Sequence, residues 1–362
     1  MTAPAPFTYT ALPSRILFGA GRAAELPAEI ESLGARRAMV LSTPDQREAA
    51  ARIAAPLGAA LGTLFSGAVM HTPVEVTERA LGVLREAGCD VLVAIGGGST
   101  TGLAKALALR TDLPQVVIPT TYAGSEVTAI LGQTEGGLKS TLRSPKVLPE
   151  VVIYDPELTL SLPPALSATS GLNAIAHAVE ALYASDANPI VSLMAEEGIR
   201  ALGHALPAIL ANPADREARA AALYGAWLSG TCLGAVGMAL HHKLCHVLGG
   251  TFDLPHAETH AVILPHAAAY NAPAAPEALG RAARALGVAG GEAAEAGPAL
   301  AALAARLGAP RALRALGMPE EGIATAVRLT LESSYPNPRA PDAASLAALL
   351  RRAWDGAPPA AD

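Results

Sequence analysis

Short apolar runs and longer amphipathic stretches alternate along the chain up to about Asp155. Amphipathic helices are predicted where apolar positions recur with the helical period after a polar or proline start. The runs between them are short and have the composition of buried strands, which predicts a parallel sheet flanked by helices. The predicted strands are 15–19, 37–41, 62–65, 91–95 and 115–118, and the predicted helices are 23–32, 45–57 and 74–87.

The pattern changes after residue 127. The sequence LGQTEGGLKS predicts a β-hairpin that turns at its Glu-Gly-Gly, and 151–154 predicts a last strand. From Ala165 onward the chain is rich in alanine and leucine and predicts helices, with breaks at the Asn-Pro pairs 188–189 and 212–213. Further helices are predicted over 296–307, 321–333 and 343–354. We therefore predict an α/β domain over 1–160 and an all-helical domain over 161–362.

One apolar stretch, 220–240, carries no charge and is long enough to span a bilayer. It contains several glycines together with Tyr224, Ser229 and Thr231, and it leads directly into a group of histidines. We therefore interpret the stretch as one fully buried helix.

Charge and cysteine content limit the partners and the compartment. The chain of 362 residues has a net charge of −6, which argues against a nucleic-acid-binding surface and against attraction to a membrane. Its cysteines, Cys89, Cys232 and Cys245, are odd in number and scattered, which is typical of a reducing compartment. The N-terminus lacks the basic and apolar regions of a signal peptide, so we expect a cytoplasmic protein.

The stretch 241–260, HHKLCHVLGGTFDLPHAETH, contains five of the nine histidines of the chain. If 242–249 is helical, His242 and His246 lie one turn apart on the same face. Gly249 and Gly250 are predicted to end that helix, and Pro255 is predicted to begin another with His256 in its first turn.

A similar pair occurs earlier, where Asn173 and His177 are four residues apart in the apolar stretch SGLNAIAHAVE. A single histidine is usually a core or surface residue, but two such pairs in apolar helices indicate a shared pocket. Such a set either holds a metal ion or lines an acid–base site.

A candidate phosphate site follows the predicted strand 91–95. Glycines after a strand let the backbone approach a pyrophosphate, and the next helix presents free N–H groups; an ordinary tight turn is the alternative. Thr120 and Thr121 follow the next strand and supply hydroxyls at the same sheet edge. The second strand ends at Ser42 and Thr43, without the acid that would hold an adenosine ribose, so we expect both NADH and NADPH to serve.

Together these motifs resemble the iron-containing alcohol dehydrogenase superfamily over nearly the whole chain. Within it, the chain is most similar to the maleylacetate reductases of bacterial aromatic degradation. The matching motifs are GGGS at 96–99, PTT at 119–121, SEVT at 125–128, NAIAHAVE at 173–180 and HHKLCHVLGG…PH at 241–256. The resemblance implies a Rossmann-like α/β domain joined to an all-α domain, as in dehydroquinate synthase and iron alcohol dehydrogenases. It also implies NADH or NADPH as cofactor and a homodimer.

The metal site of this superfamily falls on Asn173, His177, His242 and His256, with an aspartate expected at the first position. Asn173 is neutral, so three imidazoles must compete with water for a divalent ion without an anionic ligand. Gly102 and Ala257 also depart from the metal-dependent pattern, which has aspartate and glycine there. We therefore expect no metal and interpret the histidines as proton donors and oxyanion-binding groups.

The resemblance implies that the chain reduces the conjugated C=C bond of maleylacetate, a small dicarboxylate, to 3-oxoadipate. It places His246 beside the nicotinamide as the first candidate for the proton donor. The implied catalytic residues are His246, His177, His242 and His256, and the implied substrate-binding residues are Asn173, Lys243, Tyr122 and Arg339. The implied cofactor-binding residues are Ser42, Gly96, Gly97, Gly98, Ser99, Thr120, Thr121, Ser125, Thr128 and Lys139.

Two other interpretations remain open at this stage. The first is a metal-dependent alcohol dehydrogenase of the same fold that accepts asparagine as a ligand. The second is a cofactor-binding or filament-forming relative that has lost its chemistry. The number of polar residues directed at one pocket argues against such a loss.

Overall fold

A computed structural model describes residues 6–136 and 138–361 of the chain, without the side chains of Leu138 and Lys139. Contacts divide it into two compact units, one of residues 11–162 and one of residues 163–361, and residues 6–10 group with the second unit. The division lies close to the predicted boundary after residue 160.

The first unit is built on a parallel sheet in the order β1-β8-β5-β4-β2-β3, which confirms the predicted fold class. Its strands are β1 (Arg15–Phe18), β2 (Ala38–Leu41), β3 (Leu61–Phe65), β4 (Val91–Gly96), β5 (Gln115–Pro119) and β8 (Val151–Tyr154). Its helices are α1 (Leu26–Ser32), α2 (Arg47–Ala54), α3 (Val74–Ala87) and α4 (Gly98–Thr111). The predicted hairpin pairs β6 (Ile130–Glu135) with β7 (Leu138–Arg143), and its turn includes residue 137, which lies outside the described residues.

The strands are apolar throughout because helices cover both faces of the sheet. In β4, Val93 and Ile95 join the core formed with α1 and α2. Leu92 and Ala94 point to the opposite face and join the core formed with α3 and α4. This burial on both sides explains why the strands appear in the sequence as continuous apolar runs rather than alternating ones.

The order of the strands creates a crevice between β2 and β4. The chain leaves β2 toward β3 on one side, whereas it leaves β4 toward β5 on the other. In open α/β sheets, ligands bind outside the carboxyl ends of the strands at such a switch point. Ser42 and the Gly96–Gly98 loop, which follow β2 and β4, are therefore at the expected place for a dinucleotide.

The second unit is helical, as predicted. Asn188 caps the start of the helix that follows the first predicted break. Its side chain accepts a hydrogen bond from Val191 N at 3.1 Å, as an N-cap residue does. The helices are α5 (Pro164–Leu182), α6 (Pro189–Ala211), α7 (Arg216–Ala235), α8 (Leu240–Phe252), α9 (His256–Asn271), α10 (Pro276–Ala285), α11 (Ala296–Arg306), α12 (Gly322–Leu331) and α13 (Ala343–Asp355).

The prediction of one buried helix over 220–240 is wrong. α7 ends at Ala235, Val236 is extended, and α8 begins at Leu240 with its axis bent by 94° from that of α7. Among the described residues, no single helix is long and apolar enough to cross a membrane, and α7 and α8 meet that test only as a bent pair.

The prediction that Gly249 and Gly250 end the histidine-bearing helix is also wrong. α8 continues to Phe252 and ends at Asp253, which has a left-handed φ of 52°. A glycine ends a helix when it adopts a left-handed conformation, and neither of these glycines has a positive φ. The predicted start of α9 after Pro255 is confirmed.

Candidate active site

Six histidines from three helices form one cluster in the second unit. We use the name histidine cluster for His177 of α5, His241, His242 and His246 of α8, and His256 and His260 of α9. The His177 and His242 rings are stacked with centroids 5.1 Å apart, and the His256 and His260 centroids are 4.3 Å apart. The structure thus brings together the four histidines predicted to be catalytic.

The buried carboxylate of Glu180 lies at the start of α8. Its Oε1 accepts a hydrogen bond from His241 N at 2.7 Å, and its Oε2 accepts one from Ala239 N at 3.0 Å. His242 Nδ1 lies 2.6 Å from Oε2. An acidic side chain at a helix N-terminus is favoured by unpaired N–H groups and by the helix dipole. Glu180 therefore fixes both the start of α8 and the position of His242.

The same contact assigns the protons of His242. A carboxylate only accepts, so His242 Nδ1 carries the hydrogen of this bond. Its Nε2 then holds a lone pair when the ring is neutral and an N–H when the ring is protonated. The contact also holds the imidazole in one orientation, as the aspartate does in a serine protease triad.

Several polar atoms around these rings are buried and have no hydrogen-bond partner among the described residues. They are Asn173 Oδ1, His177 Nδ1, His242 Nε2 and His260 Nε2. Buried polar atoms are normally paired, and an unpaired one typically costs about 1–3 kcal/mol. A small polar ligand that binds among the rings would remove this cost.

Burial separates the histidines into two groups. Desolvation lowers the pKa of His177 and of His260 well below the usual value, so both imidazoles are neutral at pH 7. His246 is exposed and His256 is partly exposed, so these two rings can exchange protons with water. Neutral hydrogen-bonding rings and proton-exchanging rings therefore coexist in one cluster.

In the first unit, the glycine loop after β4 packs closely against neighbouring side chains. A Cβ atom on Gly97 would lie 2.8 Å from Thr121 Cγ2, and one on Gly96, with φ of 155°, would lie 2.5 Å from Thr100 Oγ1. The amides of Gly98 and Ser99 precede the first intrahelical bonds of α4, from Thr100 N and Thr101 N to Gly97 O. Such a helix N-terminus is suited to bind a phosphate.

The loops after β2 and β5 meet at the same edge of the sheet. Gln46 Nε2 donates a hydrogen bond to Thr120 Oγ1 at 2.9 Å, so the predicted residues Thr120 and Gly96 share this edge with the β2 loop. Ser42 is fully buried, and its Oγ has no partner among the described residues. The side chain of Lys139, another predicted cofactor contact, lies outside the described residues.

Lys105 holds the segment that contains Ser125 and Thr128. Its ammonium donates to Ser125 O at 2.5 Å and to Thr128 O and Oγ1 at 2.7 and 2.9 Å. Burial lowers the pKa of Lys105 to about 7. Thr128 is buried in this contact, whereas Ser125 is partly exposed, and their cofactor-binding role stays a prediction.

Two predicted substrate contacts, Lys243 and Arg339, pair with residues outside the histidine cluster. Lys243 Nζ donates to Ser333 Oγ at 2.8 Å, because adjacent helical residues point about 100° apart and Lys243 leaves the face of His242. The Arg339 guanidinium lies over the Tyr270 ring at 4.2 Å. Tyr122 is fully buried in the first unit. Their substrate-binding role also stays a prediction.

Sequence reasoning missed Glu180, His241 and His260 as members of the site. The spacing contained a signal for two of them, since Glu180 is three residues after His177 and His260 is four residues after His256. These spacings place side chains on one helix face. His241 had no such signal, because only the packing of α8 against α9 brings it to His260.

Both halves of the chain match one protein family. Residues 13–156 match iron-containing alcohol dehydrogenase, and residues 167–354 match the C-terminal part of the Fe-containing alcohol dehydrogenase family. The chain belongs to the iron-containing alcohol dehydrogenase family.

Relatives of this family extend over the whole chain. A maleylacetate reductase from Rhizobium sp. strain MTP-10005 is 58% identical over 98% of this chain and 99% of its own. The crystal structure of maleylacetate reductase from Agrobacterium tumefaciens has a TM-score of 0.93 and 57% identity, covering 98% of this chain and 100% of that one. These similarities confirm the branch indicated by the motifs.

A more distant family member was solved with a nicotinamide cofactor. The sulfoacetaldehyde reductase from Bifidobacterium kashiwanohense, in complex with NAD+, is 26% identical, with a TM-score of 0.88 over 96% of this chain and 98% of that one. Membership of the family therefore supports the use of NADH or NADPH.

The family name implies a metal ion. Whether one fits here depends on the ligand atoms of Asn173, His177, His242 and His256. Asn173 Oδ1, His177 Nδ1 and His242 Nε2 are buried and unpaired among the described residues, as ligand atoms would be. However, Asn173 is an amide and the other members of the set are imidazoles, so no member is an anion. The set therefore lacks the anionic ligand that would strengthen the binding of Fe²⁺ or Zn²⁺, although three imidazoles alone hold zinc in some enzymes.

A second group of potential ligands lies beside the first. One atom each of His241, Cys245 and His260 lie within 4.8 Å of one another. His241 Nε2 and His260 Nδ1 are 2.9 Å apart, whereas two nitrogen ligands of a tetrahedral zinc ion are about 3.3 Å apart. Burial also raises the pKa of the Cys245 thiol well above its usual value, which disfavours the thiolate. We therefore interpret this group as a hydrogen-bonded imidazole pair beside a neutral thiol.

We predict that Gly97→Ala raises the dissociation constant for NADH roughly tenfold, the effect of losing about one hydrogen bond to a charged group. The new Cβ would force Thr121 or the loop to move. Fluorescence titration with NADH measures this effect. Gly82→Ala in α3 is the control, because its Cβ would meet nothing within 4 Å. Equal affinities for the two variants would contradict the assignment of the loop.

We predict that Glu180→Gln lowers the free energy of unfolding by about 3 kcal/mol or more, because an amide places donors against donors at a buried site. Urea denaturation measures the change. Tyr183→Phe is the matched control, since it keeps the carboxylate and removes a 3.5 Å contact to Glu180 together with a hydrogen bond to Asn271. A Glu180→Gln variant as stable as the control would show that the carboxylate does not hold α8.

Proposed function

We propose that the chain is a maleylacetate reductase that uses NADH or NADPH to convert maleylacetate to 3-oxoadipate. The proposal is supported by identities of 58% and 57% to two maleylacetate reductases over nearly the whole chain. The observation that carries it is the set of buried, unpaired polar atoms on Asn173, His177 and His242, which has no anion among its members.

The absence of an anion from this set suits the chemistry of the substrate. Maleylacetate has an alkene conjugated to a ketone, with a carboxylate at each end. When hydride adds to the alkene carbon beside the carboxylate, negative charge develops on the ketone oxygen as an enolate. Preorganised donors in a dry site stabilise such an oxyanion more strongly than water does. An anion on the position of Asn173 would instead repel the enolate.

The reaction needs one hydride and one proton. A bound nicotinamide would supply the hydride, and an imidazolium N–H of the protein would supply the proton to the enolate carbon. We assign the proton to His246, because its ring is exposed and can be recharged from water after each turnover. Neutral His177 can stabilise the oxyanion with one N–H, and Glu180 keeps His242 oriented beside it.

The alternative function is a metal-dependent alcohol dehydrogenase of the same family. It would need the amide of Asn173 to act as a metal ligand. Oxidation of NADH by the purified chain with maleylacetate, compared with aldehydes and ketones as substrates, decides between the two. Turnover of simple carbonyl compounds alone would favour the dehydrogenase.

We predict that prolonged treatment with EDTA leaves maleylacetate reduction unchanged, and that elemental analysis finds far less than one Fe or Zn per chain. The reason is the missing anionic ligand at Asn173. Asn173→Asp should raise the affinity for divalent ions, measured by calorimetric titration. Activity that disappears with EDTA and returns with a divalent ion would overturn the prediction.

We predict that His246→Ala lowers kcat by roughly a hundredfold or more, with little change in the dissociation constant for NADH. A proton donor acts in the transition state rather than in cofactor binding. A packing role would instead lower the melting temperature and leave kcat nearly normal. In that case the proton would be assigned to His177 or to His242, whose Nδ1 lies 2.6 Å from Glu180 Oε2.

A further inference from the structure

His260 and His241 form a hydrogen-bonded pair behind the catalytic histidines. His241 Nε2 and His260 Nδ1 are 2.9 Å apart, and both side chains are fully buried. The His260 ring contacts two catalytic rings, with its centroid 5.0 Å from that of His242 and 4.3 Å from that of His256. His260 is therefore in contact with the rings that line the site rather than in a separate part of the core.

The second nitrogen of His260 has no partner. Its Nε2 is buried and unpaired among the described residues, as are His177 Nδ1, His242 Nε2 and Asn173 Oδ1. The centroids of the His177 and His242 rings lie 6.5 and 5.0 Å from that of His260. Of these atoms, His260 Nε2 and His177 Nδ1 can each carry an N–H, so both can donate to an anionic ligand that binds among the rings.

We propose that His260 is a further substrate-binding residue and that His241 is the positioning residue that sets its tautomer. This inference rests on the proposed function, because it assigns His260 to an oxygen of the dicarboxylate substrate.

The hydrogen bond between the two rings couples their protons. Each neutral imidazole has one N–H, and one hydrogen lies between His241 Nε2 and His260 Nδ1. If His241 donates it, His260 carries its own hydrogen on Nε2 and presents a donor. If His260 donates it, Nε2 presents a lone pair that repels an anionic oxygen. An anionic substrate therefore selects the state in which His241 donates and His260 Nε2–H binds the oxygen.

Two substitutions at His260 separate this role from packing. Asparagine places its amide near the position of Nδ1, so it keeps a partner for His241 and leaves nothing at Nε2. Glutamine places its amide near the position of Nε2, so it keeps a donor toward the substrate and leaves His241 without its partner. The proposal and a packing role predict opposite orders for these two variants.

The measurement is kcat/KM for maleylacetate, together with the melting temperature and the dissociation constant for NADH. We expect His260→Asn to lower kcat/KM roughly ten- to a hundredfold, the effect of losing a hydrogen bond to a charged group, with NADH binding unchanged. His260→Gln should retain more of the activity although it is the less stable variant. If His260→Asn is the more active of the two, the proposal is wrong and the pair only packs.

If neither variant folds, the partner residue provides the test. His241→Gln can still donate an amide N–H toward His260 Nδ1, whereas His241→Phe fills a similar volume without a donor. We expect kcat/KM to be retained in His241→Gln and lost in His241→Phe. The reverse order overturns the proposal.

A buried histidine of the same helix serves as the control. His266 lines a small cavity with Ala301 and Pro310, and His266→Asn should leave kcat/KM unchanged. Zinc bound at one equivalent by the wild-type chain and lost in Cys245→Ala would make the pair part of a metal site and overturn the proposal.

The wild-type chain separates failure of this proposal from failure of the proposed function. If it does not reduce maleylacetate, the proposed function is wrong. Calorimetric binding of 3-oxoadipate to the His260 variants then still tests whether His260 contacts a dicarboxylate. Wild-type affinity in His260→Asn would overturn the role of His260 even where the enzyme is active.

Discussion

The carboxylate of Glu180 is the constraint on which the helical unit depends. It is fully buried and is surrounded by donors: His241 N, Ala239 N and His242 Nδ1. A buried charge needs partners that complete its hydrogen bonds, so this contact constrains how α5 and the start of α8 pack. The sharp break between α7 and α8 is held by this contact and by Asp186, whose carboxylate accepts a hydrogen bond from Gly237 N at 2.9 Å.

The same carboxylate also positions a histidine of the proposed active site. It orients His242 and fixes which nitrogen carries the proton, and His242 in turn stacks on His177. Around these rings, burial keeps His177, His241 and His260 neutral, because desolvation lowers their pKa values. In the proposed function, these neutral rings bind the anionic substrate through oriented N–H groups, and the exposed His246 supplies the proton. The negative charge beside the cluster lies on the Glu180 carboxylate, whereas the rings of His177, His241 and His260 are neutral.

The α/β unit was predictable in detail because its signals are local. The strands are buried on both faces, so each is an unbroken apolar run, and α3 and β8 begin and end at the predicted residues. The glycine loop after β4 was also found from its position between a strand and a helix. The packing of Thr121 and Thr100 against that loop could not be predicted from the sequence. These contacts depend on how the loop and the start of the next helix fold around the glycines.

The sequence by itself determined the fold class, the family and the two helical pairs, Asn173 with His177 and His242 with His246. Helical spacing decides which side chains share a face, and it can be seen in any sequence. Only the tertiary structure decided that Glu180 serves His242, that His241 meets His260, and that Lys243 turns toward Ser333. Spacing cannot reveal such partners, because they depend on which helices pack together and on how deeply each group is removed from water.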